Sequence, residues 1–133
     1  MSAKDVKTDR KYTKEHEWAW LSAGKLRVGI TAFAVDQLGD VTLVNFDVNV
    51  GDKLLAGKPF GTIESVKTLS DLFAPVNGTI VEVNRELEES PELVNDDCYG
   101  KGWMIVVECD TPSDVESLLT ADAYLKHVEE SAH

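Results

Sequence analysis

The sequence predicts a mainly β protein, a flattened barrel or sandwich of short strands with short peripheral helices, including C-terminal ones. Period-2 alternation of apolar and polar residues dominates the middle of the chain, glycine-bearing turns punctuate it at short intervals, and the helix signals are brief. A length of 133 residues fits one unit, and 43% hydrophobic with 28% charged residues is the composition of an ordinary globular chain.

Strands are expected at roughly Glu17 to Leu21, Lys25 to Gly29, Val41 to Phe46, Pro59 to Val66, Leu69 to Ala74, Gly78 to Val83 and Trp103 to Cys109. Ala23-Gly24, Val50-Gly51-Asp52, Ala56-Gly57 and Asn77-Gly78 supply the turn residues between them. Thr31 can cap a helix through Leu38 that stops at Gly39. Ser90-Pro91-Glu92 reads as a second helix start, with proline where its missing N–H costs nothing. Ser113 and Glu116 have the spacing of a capping box, and Leu118, Tyr124, Leu125 and Val128 follow as an apolar stripe. The stretches Val50 to Ile63 and Pro75 to Glu88 each read as a turn followed by alternating strand, the pattern of an internal duplication.

Thirteen Lys and Arg against 24 Asp and Glu give a net charge of -11. Such a field repels phosphate backbones and anionic headgroups, which argues against nucleic acid and membranes as partners and suits a partner with a basic docking face. No apolar run approaches the roughly 20 residues that cross a bilayer. Residues 1–11 read as a flexible polar tail, neither secretory signal nor transit peptide, and 129–133 as a C-terminal tail, leaving 12–128 as the folded domain. Cys98 and Cys109 are the only thiols, without C-x-x-C spacing or clustered histidines, so neither a disulfide framework nor a metal site is expected.

The segment Gly61 to Pro75 holds the candidate site. Alternation runs up to Val66 and resumes at Leu69, which leaves Lys67 on a turn held away from the body. An exposed lysine on a rigid tip is what post-translational attachment requires, because a modifying enzyme must engulf the turn, although surface hairpins also carry lysines for solubility.

Glu64-Ser65-Val66-Lys67, followed by Ser70-Asp71 and Ala74-Pro75-Val76-Asn77-Gly78, resembles the lipoylation hairpin of the glycine cleavage system H proteins. The resemblance extends through His16-Glu17-Trp18, Val28-Gly29-Ile30-Thr31, Leu38-Gly39-Asp40, Val50-Gly51-Asp52, Pro91 to Asn95, Tyr99-Gly100 with Gly102-Trp103, and Asp122-Ala123-Tyr124, over residues 12–128. Val66-Lys67-Thr68 also differs from the Met-Lys-Met of biotin carriers and the Asp-Lys-Ala of lipoyl domains in 2-oxoacid dehydrogenases. Where the family usually has Asp-Pro-Tyr, this chain reads Asp97-Cys98-Tyr99.

The resemblance implies a lipoyl/biotinyl-type β fold and lipoic acid in amide linkage on Lys67. It implies a carrier, not an enzyme, that shuttles the aminomethyl group of glycine. The partners implied are a pyridoxal-phosphate glycine decarboxylase, a tetrahydrofolate-dependent aminomethyltransferase, a dihydrolipoyl dehydrogenase using FAD and NAD, and lipoate-attaching enzymes. Glu64, Ser65 and Val66 would serve recognition by the attaching enzyme, and Glu17 and Asp71 would line a cleft in which the arm docks. A free monomer is implied, in the cytoplasm of a bacterium or the mitochondrial matrix of a eukaryote. The rival readings are an H-like carrier that relays lipoyl groups to other enzymes, and an unmodified scaffold.

Overall fold

In the computed structural model, which describes residues 6–131, the alternating stretches form two antiparallel sheets. The larger runs β1 (Lys11–Tyr12), β2 (Glu17–Ser22), β3 (Lys25–Ile30), β9 (Ile105–Cys109), β8 (Gly78–Val83) and β5 (Lys53–Leu54) in spatial order. The smaller has β4 (Val41–Phe46), β6 (Pro59–Ser65) and β7 (Leu69–Phe73), with β6 central. Neither sheet closes on itself, so the molecule is a sandwich and the core lies between the sheets.

Val44, Ile63 and Leu72 from the smaller sheet meet Leu26, Val28, Ile80 and Val107 from the larger. Strand β9 is buried at Ile105, Val106 and Val107 in succession, because both its faces are covered; alternation is lost there for the same reason. Two single-turn helices, α2 (Glu86–Glu89) and α3 (Glu92–Asp96), pack against β4 through the fully buried Leu87 and Val94, and each such side chain stabilises by roughly 1.5–3 kcal/mol.

Helix α1 (Ala32–Leu38) crosses from β3 to β4 and is delimited as its sequence indicates. The Thr31 hydroxyl accepts from the Ala34 amide at 3.2 Å, and Gly39, at φ 76°, donates its N–H to the Val35 carbonyl at 2.9 Å.

At the C-terminus the expected capping box does not form. Pro112–Ser117 is a 3-10 turn with no side-chain cap, and helix α4 (Ala121–Ser131) starts later, where the Thr120 hydroxyl accepts from the Ala123 amide. The stripe of α4 is Ala121, Tyr124 and Val128, whereas Leu118 joins the core between the sheets. The two glycine-rich stretches also fold differently, the first into β5 and part of β6 in separate sheets, the second into β8 and a helix.

Of the stretch read as a flexible tail, residues 1–5 lie outside the described residues, Lys7, Thr8 and Asp9 are exposed, and Val6, Arg10 and Lys11 are partly buried. Lys11 pairs with Ala19, the Tyr12 hydroxyl donates to the Lys7 carbonyl at 2.6 Å, and the Arg10 guanidinium lies over the rings of Trp18, Trp20 and Tyr99. At the other end Glu129 to Ser131 continue α4, and His133 lies outside the described residues.

Candidate functional site

Lys67 sits on the four-residue turn that joins β6 to β7, past the last ladder pair, Glu64 with Leu69. The turn is closed by the Ser65 amide donating to the Thr68 carbonyl at 2.8 Å. The Ser65 hydroxyl, buried inside the turn, accepts from the amides of Lys67 and Thr68, both at 3.2 Å. A serine at this position satisfies N–H groups that a tight turn would otherwise leave unpaired. Its side chain therefore shapes the tip and is turned away from solvent.

A second support comes from the body of the protein. The Val66 amide donates to the Asp40 carbonyl at 3.1 Å, in the loop after α1. That loop is clamped from α3: the Asn95 amide group donates to the Gly39 carbonyl and accepts from the Val41 N–H, each at 2.9 Å. The Lys67 stem passes over Gly39, where a Cβ would lie 3.4 Å from Lys67 Cε in ordinary contact; it is the φ of 76° that favours glycine there. The Lys67 main chain is thus pinned from both sides, while its exposed ammonium has no ion-pair partner among the described residues.

Beside the tip lies a cleft of about 260 Å³ between α1, the β6–β7 hairpin and the start of β2. Ile30, Leu38, Ile63 and Leu72 give it apolar walls; Thr68 brings its edge to the residue after Lys67, and Glu17, His16, Gln37 and Ser70 add polar groups.

Glu17 is not a surface charge. It is 2% exposed, its Oε1 accepts from the Thr13 hydroxyl at 2.6 Å, and its Oε2 accepts from the Phe73 amide of β7 at 3.3 Å. Burial pushes its carboxyl up to about 7, and the two hydrogen bonds oppose that only in part. Near neutral pH this group both holds a proton and releases one.

The other wall of the cleft depends on His16, which adopts φ 72° and hydrogen-bonds through Nδ1 to the Tyr124 hydroxyl at 2.8 Å. The same hydroxyl meets Thr31 Oγ1 at 2.7 Å, so the C-terminal helix is tied to both β2 and the cap of α1. Burial, and next the nearby His127, hold the His16 imidazole below its ordinary value.

The remaining expected residues divide. Glu64 and Val66 are exposed beside Lys67. Asp71 lines the cleft but is exposed, is paired in register with Thr62 in mid-strand, and caps no turn. The carbonyl of Cys98 receives the Trp18 indole N–H at 3.0 Å, so that loop is anchored on the second core, around Trp18 and Tyr124. Thr13 and Asn95 were not legible as site residues, because Thr13 acts only through the buried carboxyl of Glu17 and Asn95 through Gly39 and Val41, 56 and 54 residues away.

Comparison with known proteins places these residues in a family context. The family model described as "Glycine cleavage H-protein" matches residues 10–131. A glycine cleavage system H protein from Bacillus pumilus is 55% identical over 116 residues, which is 87% of this chain and 91% of that relative. A probable glycine cleavage system H protein from Natronomonas pharaonis is 53% identical, covering 90% of this chain and 94% of the relative. Among solved structures, a glycine cleavage system H protein from Mycobacterium marinum superposes with a TM-score of 0.82 at 38% identity, over 96% of this chain and all of that one.

Proposed function

Because the chain belongs to the glycine cleavage H-protein family, and so works as a lipoyl carrier in glycine cleavage, we propose that Lys67 is the residue that bears the lipoyl group. The observation that carries the proposal is the tip itself: a main chain held by Ser65, Asp40 and, through its loop, Asn95, presenting a solvent-exposed amine with no ion-pair partner among the described residues. An amide forms there when the Nζ, having given up a proton, attacks the carboxyl carbon of an activated lipoyl donor and the activating group departs.

When bound, the lipoyl group would supply a dithiolane whose disulfide is reduced on taking up the aminomethyl carbon left by glycine decarboxylation and is restored when the resulting dithiol is oxidised by the dehydrogenase. The cleft beside Thr68 fits such an arm, since its apolar walls match a hydrocarbon chain. A cationic amine entering it meets Glu17, and the positive charge favours the carboxylate over the proton that burial otherwise holds there. Asp71 adds a second carboxylate at the rim. Ser65, its hydroxyl engaged within the turn, acts on recognition through the shape of the tip, and direct contact with the attaching enzyme falls to Glu64 and Val66.

The partners in this reading are the pyridoxal-phosphate decarboxylase, the tetrahydrofolate-dependent aminomethyltransferase, the flavin dihydrolipoyl dehydrogenase and the lipoate-attaching enzyme. The chain itself contributes tethering and shelter, with no bond-breaking by its own side chains, and tethering gives the arm an effective concentration on the order of millimolar at each docked site. Bacterial relatives favour the cytoplasm as its compartment, and no described helix is long and apolar enough to cross a membrane.

The test is mass spectrometry across residues 59–75 after incubation with lipoate, ATP and a lipoate–protein ligase. The wild type should gain one lipoyl group on Lys67, and Lys67→Arg should gain none, keep its melting temperature and stop glycine breakdown in the reconstituted system. Full breakdown with Lys67→Arg would overturn the assignment.

A further inference from the structure

The smaller sheet carries an unusual row on the face turned away from the core. Ladder registry sets Leu43 of β4 opposite Glu64 of β6, and Glu64 opposite Leu69 of β7. Directly paired residues project to the same side, so these three side chains stand abreast, with the leucines two strand spacings, roughly 9.6 Å, apart. Leu43 is 46% exposed and Leu69 61%; at the end of the row Val66, 67% exposed, stands next to Lys67. The remaining large hydrophobics that are exposed, Leu21, Val50 and Leu55, lie on or beside the other sheet. Half of the exposed apolar set therefore gathers around one lysine. Packing does not explain this, because the inner rows, Val44–Ile63–Ser70 and Phe46–Gly61–Leu72, already serve the core.

We propose that the Leu43–Glu64–Leu69 row is the docking platform for the enzyme that acylates Lys67, a protein whose complementary face offers an apolar groove crossed by one cationic side chain. The inference rests on Lys67 being the attachment site. Of all the enzymes in the cycle, the acylating one alone must bring its active site to the Lys67 Nζ itself; the others meet the far end of the arm. It therefore covers the surface within one or two strand spacings of the turn. The charge pattern gives the partner its sign. Glu64 forms no ion pair among the described residues, and it is flanked by leucines that exclude water once covered. A second copy of this chain does not fit, since symmetric pairing would set Glu64 against Glu64 between two chains of charge -11.

The experiment uses Leu43→Thr and Leu69→Thr, which keep a strand-favouring residue at an exposed position. Acylation of the full chain is followed with lipoate, ATP and a lipoate–protein ligase. Each substitution should lower kcat/KM about tenfold, mainly through KM, as expected of an interface anchor. Acetylation of Lys67 by a small N-hydroxysuccinimide ester should keep its wild-type rate. After incubation to complete lipoylation, both variants should support decarboxylase-catalysed bicarbonate exchange at the wild-type rate. Ligase kinetics within twofold of wild type would overturn the platform. A loss confined to the exchange assay would assign the face to the decarboxylase and overturn it too. Absence of any lipoyl gain on wild-type Lys67 would instead refute the attachment site on which it stands.

Discussion

Glu17 should make the stability of this protein fall as pH rises through neutrality, and Glu17→Gln should remove that fall. Its folded value of about 7 stands above the 4.5 of an unfolded chain. The folded state therefore holds the proton more tightly, and the contribution is complete below 4.5 and lost as pH passes 7. At roughly 1.36 kcal/mol per pH unit the difference amounts to about 3 kcal/mol, of which about 2.5 kcal/mol disappears between pH 5 and pH 8. Because the group is 2% exposed, solvent screening removes little of this. Its neighbour His16, held below its ordinary value, has the opposite sign: its contribution is present above 6.5 and lost as pH falls. The comparison must therefore be made between wild type and variant at each pH. Urea unfolding at pH 5 and pH 8, with a slope of about 1.5 kcal/mol per molar, should show the wild-type midpoint falling by roughly 1.7 M more than that of Glu17→Gln. Parallel pH profiles for the two proteins would refute the buried, protonatable Glu17 inferred from its contacts with Thr13 and Phe73.

Other consequences follow from the same geometry. Asn95→Ala removes both hydrogen bonds to the loop under the tip and should cost about 1–3 kcal/mol, with the Val66 amide exchanging its hydrogen about tenfold faster; unchanged exchange would mean the clamp does not hold the hairpin. Gly29→Ala places a methyl 2.6 Å from the buried Trp18 ring and should destabilise by about 1–3 kcal/mol in thermal unfolding, whereas an unaltered melting temperature would contradict that close approach. Tyr124→Phe keeps the stack on Tyr12 but deletes the hydroxyl between His16 and Thr31; a loss of about 1–2 kcal/mol is expected in urea unfolding, and no change would show those bonds to be without weight.

The parts that the sequence made legible are those whose causes are local. Thr31 and Gly39 delimit α1 because the cap and the stop adjoin the helix they end, and Lys67 falls on a turn because alternation lapses there between the strands on either side. The burial of Glu17 was not legible because its hydrogen-bond partners come from the turn before β2 and from Phe73, 56 residues away, which no periodicity encodes. Arg10 likewise read as part of a polar tail, since the aromatic faces that receive it come from β2 and from Tyr99. The C-terminal helix was placed early because Ser113 and Glu116 have capping-box spacing, while Pro112 favours a tight turn and Thr120 provides the working cap. Strands β1 and β5 have two residues each, too few for alternation to register.

The clamp and the platform act on different terms of binding, and this gives the site its logic. A tip held by Ser65, Asp40 and Asn95 has lost its conformational freedom before any partner arrives, so every enzyme that meets it is spared the same ordering cost. Loosening the clamp with Asn95→Ala should therefore weaken lipoyl attachment and decarboxylase exchange alike. Removing Leu43 or Leu69 subtracts apolar contact from one partner only, so its effect should stay with attachment. A carrier that must visit several enzymes in turn gains from this division, because rigidity common to all encounters raises affinity without prolonging any one of them. If Asn95→Ala slowed attachment and left exchange untouched, the tip would be ordered for a single partner, and the shared-rigidity argument would fail at that point.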